Sequence, residues 1–241
     1  MSTLKATAVI KRLKELGSEE KAKNCAWFFK TGKGQYGYGD IFYGVTVPEQ
    51  RIVAKEFRDL NLDEIQKLLD NKYHECRLTA LIILANQAKK TKTEQDLKVI
   101  YAFYLKNSAQ INNWDLVDTS AHYIVGAYLY KHNKDRKVLY KLAKSKLLWE
   151  RRIAIIATWY FIQQNDLDDT FELCIQLMQD EEDLMHKACG WMLREAGKKD
   201  VKQLSTFLNA YAHKMPRTML RYAIEKYSDA QRKKFLKIKK V

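Results

Sequence analysis

Helical periodicity runs through this chain with no convincing stretch of strand-like alternation, and that constrains its fold more than any other feature. In LKATAVIKRLKEL the apolar residues Leu4, Ala8, Leu13 and Leu16 are separated by lysines, the pattern of a helix with one buried face. SEEKAKNCAWFFK predicts a second helix capped by Ser18. In TVPEQR, Thr46 and Glu49 have capping-box spacing, and Pro48 is tolerated in a first turn because its missing N–H would find no intrahelical partner. Further helices are predicted at about 62–70, 73–90, 94–107, 118–130, 135–145, 148–164, 169–179, 184–197, 200–213 and 216–228. Two prolines and nine glycines in 241 residues are too few for the many turns of a β-sandwich, and 46% apolar residues suffice for a real core. The predicted class is all-α.

The helices recur with a basic residue near their starts. Arg77 follows Cys76, Arg152 follows Arg151, Lys187 follows His186, and Arg217 follows Pro216. Arg152 to Lys187 spans 35 residues and Lys187 to Arg217 spans 30, while Asp118 lies 34 before Arg152 and Arg77 another 41 before that. Irregular periods of this size in helix pairs predict a curved α-solenoid of HEAT-like repeats, formed by 1–241 as a single domain with a basic tail from about 229 to 241. A cation in a first helical turn opposes the helix dipole by a few tenths of a kcal/mol. Repeating that penalty makes sense where an anion sits, so Arg77, Arg152, Lys187 and Arg217 are candidate phosphate contacts. The bland alternative for each is a surface charge or a local pair, such as Arg151 or Arg152 with Glu150.

The net charge of +14 sharpens this expectation. From Val201 to Val241 eleven Lys or Arg face two acids, so +9 of the +14 falls there, and QRKKFLKIKKV alone holds six basic residues. Such a bias favours a polyanion, nucleic acid first and an acidic membrane surface second, against a tail that serves only solubility. No transmembrane helix and no secretory leader are expected, and a cytoplasmic protein, nucleoid-associated when bound to DNA, is the predicted setting. Cys25, Cys76, Cys174 and Cys189 form no CxxC pair, and His74 beside Cys76 supplies only two ligands, so neither a disulfide scaffold nor a metal site is expected.

Five glycines between Gly32 and Gly44, in TGKGQYGYGDIFYG, form a loop that superficially suggests phosphate binding. A P-loop requires Gly-Lys-Ser/Thr after a strand; here Gly34 follows Lys33 and no strand precedes it, so a connector is expected.

The residues with chemistry in them begin at Asn113-Trp114-Asp115-Leu116-Val117-Asp118. Trp114 and Asp118 are four apart and share a face if the segment is helical. One and two repeats later the same face would carry Arg152 and Trp191, giving two indoles, a carboxylate and a guanidinium in one groove. A lone Trp on a helix is more often core; two on a polar concave face are less easily dismissed.

In these residues the chain resembles the HEAT-like-repeat DNA alkylation-repair glycosylases, the AlkD type, most sharply in NNWDLVD at 112–118, LWERRIAI at 148–155 and KACGWMLRE at 187–195. The resemblance also takes in FYGVTVPEQR near the start and covers essentially the whole chain. It implies a glycosylase that removes cationic N3- or N7-alkylated purines, such as 3-methyladenine and 7-methylguanine, from double-stranded DNA during base excision repair. It implies Trp114, Asp118 and Trp191 as catalytic residues and Arg152 as a DNA contact. It also implies that the lesion's sugar is presented to the cleft and the base is left largely outside a pocket.

The chemistry is consistent with this. An alkylated cationic purine is already a good leaving group, so the two carboxylates of ordinary glycoside hydrolysis are unnecessary. Asp118 alone can stabilise positive charge growing on the deoxyribose and orient or deprotonate the attacking water. The π faces of Trp114 and Trp191 can flank a cation, each contributing roughly 0.5–2 kcal/mol. No cofactor is implied, and a monomer is expected because the groove must stay open. Trp27 or Phe28 could add an aromatic near the cleft. The alternatives are a non-catalytic binder of branched or distorted DNA and a HEAT-type protein-interaction scaffold.

Overall fold

The computed structural model describes residues 4–132 and 134–238. Among them the chain is all-α, and its only bridge of β type is an isolated one between Ile41 and Tyr73. No helix among the described residues is long and apolar enough to cross a membrane. The chain divides into two compact units, Met1–Ser120 and Ala121–Val241.

In the first unit α1 (Ala6–Leu16), α2 (Glu19–Phe28), α3 (Val47–Glu56), α4 (Leu62–Leu69), α5 (His74–Lys90) and α6 (Glu94–Lys106) follow one another, and α7 (Trp114–Ala121) begins. Ser18 caps α2 by accepting from the Lys21 N–H, and at α3 the Glu49 carboxylate accepts from the Thr46 N–H at 2.8 Å. Helix α5 is the core element, packed against α3 and α4. Leu81, Ile82, Ile83 and Leu84 are all buried, so this helix is covered on every side rather than on one stripe. Each such side chain taken from water contributes about 1.5–3 kcal/mol.

The second unit continues from α7 through a single π-helical turn, His122–Gly126, into α8 (Ala127–Lys131). It then holds α9 (Lys137–Leu142), α10 (Leu148–Gln163), α11 (Asp168–Gln176), α12 (Asp183–Lys199), α13 (Val201–Tyr211), α14 (Arg217–Ala223) and α15 (Asp229–Leu236). Helix α10 packs on the π turn, α9, α11 and α12, and α12 packs on α13 and α14. Two glycines let helix backbones approach closely in this unit. A Cβ on Gly126 would lie 2.2 Å from the Ala157 carbonyl oxygen, and one on Gly190 would lie 2.5 Å from that of Met219. Arg136 joins the start of α9 to the connection before α11 through Asp166 at 2.7 Å and to α11 itself through Asp169 at 2.5 Å, its guanidinium over the Phe161 ring.

Three local expectations change. The helix predicted over 118–130 starts at Trp114, because Asn113 caps it: its carbonyl accepts from the Val117 N–H and its side-chain oxygen from that of Trp114. The basic tail is helical over Asp229–Leu236, since Ser228 and Gln231 form a capping box and Phe235 buries itself edge-on to Tyr227. The part of the predicted tail at 239–241 lies outside the described residues. The Gly-rich segment does connect α2 to α3, but it is also built into the polar core of the first unit.

Candidate active site

Trp114 and Asp118 lie one turn apart on α7, both half-buried. The Trp114 ring stacks on Phe29 with centroids 5.4 Å apart and meets Phe28 edge-on at 6.0 Å. Phe29 in turn stacks on Phe42 of the Gly-rich segment at 5.3 Å. Trp27 is 83% exposed, so the aromatic support of Trp114 comes from Phe28 and Phe29. Phe29 was not singled out in the sequence, because three adjacent aromatics at the end of a helix do not reveal which ring turns inward. Beneath Asp118 the Tyr104 hydroxyl is fully buried and 2.9 Å from the Ser120 hydroxyl, whose own proton goes to the Leu116 carbonyl. Burial, assisted by the charge of Asp118, raises the Tyr104 phenol well above its ordinary range.

The first turn of α7 is tied to a buried ionic network. His74, 2% exposed, has Nε2 2.8 Å from Asp115 and Nδ1 3.0 Å from Asp40. Asp40 also accepts from Arg77 and from the Asn113 amide at 3.0 Å, while Asp115 accepts from the Leu116 N–H at 2.9 Å. Burial alone would lower the His74 pKa; the charge of Asp115 and the hydrogen bonds to both carboxylates outweigh it and raise it to about 9. Burial alone would raise Asp40, but the hydrogen bonds from His74 and Asn113 and the charges of Arg77 and His74 hold it below the ordinary carboxylate range. Next to His74, the buried Glu75 carboxylate accepts from the N–H groups of Tyr43, Gly44 and Val45 at 3.1, 2.8 and 3.2 Å.

Arg77 therefore departs from the expectation of a phosphate contact. It is 6% exposed and donates to Asp40 and to the Asn71 carbonyl, because α5 is buried all round and a cation in its first turn falls inside the unit. The sequence offered no sign of its partner, which lies 37 residues earlier in the Gly-rich segment.

In the second unit Trp191, half-buried on α12, meets Trp159 of α10 edge-on at 5.1 Å. Trp159 lies 4.5 Å from the buried His122 ring in the π turn. Arg152, also on α10, is 4% exposed and donates to the Leu184 carbonyl at 2.6 Å. Its neighbour Arg151 pairs with Asp180 at 2.6 Å through Nε. Lys187 is partly exposed and pairs with Asp183 one turn earlier at 2.8 Å, and the exposed Arg217 donates to the Leu236 carbonyl. Among the described residues no three His, Cys, Asp or Glu side chains converge as a metal-binding set.

These features define an all-α protein presenting an indole and a carboxylate from one turn of a helix. The chain belongs to the family described as DNA alkylation repair enzyme, whose model matches residues 9–227. A solved structure described as a predicted DNA alkylation repair enzyme from Enterococcus faecalis is similar in fold, with a TM-score of 0.70 at 17% identity, covering 88% of this chain and 97% of that one. No curated protein matches. Family membership makes DNA the implied substrate.

Proposed function

We propose that this protein is a DNA glycosylase that hydrolyses the N-glycosidic bond of cationic N3- or N7-alkylated purines, 3-methyladenine and 7-methylguanine among them, in duplex DNA for base excision repair. The observation that carries this reading is the Trp114–Asp118 pair: in a family of alkylation repair enzymes, one helical turn presents a π face and a half-buried carboxylate. A cationic base leaves without protonation, so a lone carboxylate is sufficient equipment. Asp118 stabilises the oxocarbenium character of the sugar and orients the water. Trp114 offers a π face to the cation, and Trp191 is proposed as a further catalytic indole. Lys187 and Arg217 hold backbone phosphates, and Arg152, whose guanidinium the Leu184 carbonyl orients, is the third proposed DNA contact. Arg77 has no part in this, being bound to Asp40. HEAT-like repeats and a monomeric state belong to the same proposal.

The test is release of alkylpurine from methylated duplex DNA by the wild type and by Asp118→Asn. Release by the wild type and its loss in the variant are expected. Equal release by both removes Asp118 from its role. Salt-sensitive binding without release by either leaves a non-catalytic DNA binder.

A further inference from the structure

His74 sits where a neutral imidazole would not fit. A neutral ring has one N–H and one lone pair, and a carboxylate only accepts. Yet each ring nitrogen lies within 3.0 Å of a different carboxylate, Asp40 on one side and Asp115 on the other. If all are charged, two carboxylates meet two cations, His74 and Arg77, and the buried set is neutral overall. The three linked elements are α5 through His74, the Gly-rich segment through Asp40, and α7 through Asp115. Asn113, the residue that caps α7, is bound to the same Asp40 carboxylate.

We propose that His74 is a positioning residue: as an imidazolium donating to Asp40 and Asp115 at once, it locks the first turn of α7, and with it Trp114 and Asp118, onto α5 and the Gly-rich segment. The consequence for chemistry rests on the proposed glycosylase reading; the charge state of His74 and its hold on Trp114 do not.

The other ionisable groups around the ring are accounted for. From α5 come Glu75, satisfied by three backbone N–H groups, Arg77, held by Asp40, and Cys76, whose thiol burial raises to about 12. Tyr43 stacks on Tyr73 at 3.7 Å, and its phenol is pushed up to about 12, mainly by burial. Cys25 of α2 is raised by burial and then by the charges of Glu75 and Asp115. His74 with its raised pKa of about 9 is thus the group whose proton leaves first on the alkaline side. Its loss sets a lone pair against a carboxylate, and the α7 tether loosens.

The test uses the full chain with ¹⁵N-labelled histidine and 5-fluorotryptophan. Both His74 ring nitrogens should show imidazolium shifts at neutral pH. The Trp114 fluorine resonance, assigned with Trp114→Phe, should move with the His74 titration near pH 9 while those of Trp159 and Trp191 stay put. A His74 titrating near its ordinary 6.5, or a Trp114 resonance that ignores the His74 titration, overturns the proposal. In single-turnover assays His74→Gln should release base at least about tenfold more slowly with little change in DNA affinity, since misplacement of a catalytic group by an ångström costs up to about a hundredfold. Base release by His74→Gln equal to that of the wild type overturns it too. If that variant does not fold, the wild-type titration still decides. If the wild type releases no base, the glycosylase reading fails, and the fluorine titration alone judges His74.

Discussion

The two units support their candidate residues by different physics. In the first, Trp114 and Asp118 stand on a helix whose start is fastened by charge: His74 between two carboxylates, with Arg77 and Asn113 completing the set. In the second, Trp191 is backed by another indole, Trp159, which itself lies against a buried His ring, and the absence of a side chain at Gly190 lets α12 pack closely on α14. A buried ionic clamp fixes direction strongly but depends on every member keeping its charge. Apolar packing tolerates changes of pH and salt but yields to changes of volume. The two halves should therefore fail in different ways.

The largest expected effect breaks the comparison at its chemical end. Asp118→Asn keeps the shape of α7 and removes the charge, so base release should fall by about 10²–10⁴-fold, the range for a positioned acid–base group, while DNA affinity changes little. Single-turnover release against measured binding separates the two.

Next comes stability. Asp115→Ala leaves a buried imidazolium with one partner and should cost about 3–5 kcal/mol, as for breaking a buried ion pair. Trp159→Phe in the second unit keeps an aromatic ring but removes volume from a half-buried site, and should cost less, about 1–2 kcal/mol. Denaturant midpoints of the two variants give the comparison directly; equal losses would mean that the network is no more than filler.

The pH dependence sharpens the contrast. His74 has a folded pKa raised from 6.5 to about 9, so its contribution is fully present below about 6.5 and is lost as pH rises through about 9. Asp40 has the opposite sign: its pKa is lowered on folding, so its contribution is present above the ordinary Asp range and is lost on acidification through its folded pKa. Urea unfolding from neutral pH to pH 9 should show stability declining in the wild type and a flatter profile in His74→Gln. Parallel profiles would show that His74 is not charged in the fold.

The smallest effect concerns the basic end. Deleting it would strip Phe235 from Tyr227 and take the Leu236 carbonyl from Arg217, so charge substitution is the cleaner probe. Lys233→Gln with Lys234→Gln, both exposed, should lower the slope of log affinity against log salt by about 0.9 for each phosphate that is no longer neutralised. An unchanged slope would make α15 a packing element with a solubilising surface.

Much of this was legible in residue order. Helices follow from local periodicity and caps, so Ser18 and the Thr46–Glu49 pair marked true starts. The i, i+4 relation of Trp114 and Asp118 followed from spacing alone once the segment was helical. Arg77 was misplaced because a basic residue in a first turn reads the same whether its helix is at the surface or sealed. Asp40 was hidden in a glycine-rich run whose composition announces a turn and not a partner.

By itself, the sequence determined what depends on neighbours within a turn or two: the all-α class, the helix boundaries to within a few residues, and the pairing of an indole with a carboxylate on α7. Only the tertiary structure decided which charges are buried against which. Asp40 reaches His74 across 34 residues and His74 reaches Asp115 across 41. Such contacts depend on how helices pack, because a charge can be taken from water only where the fold delivers its opposite.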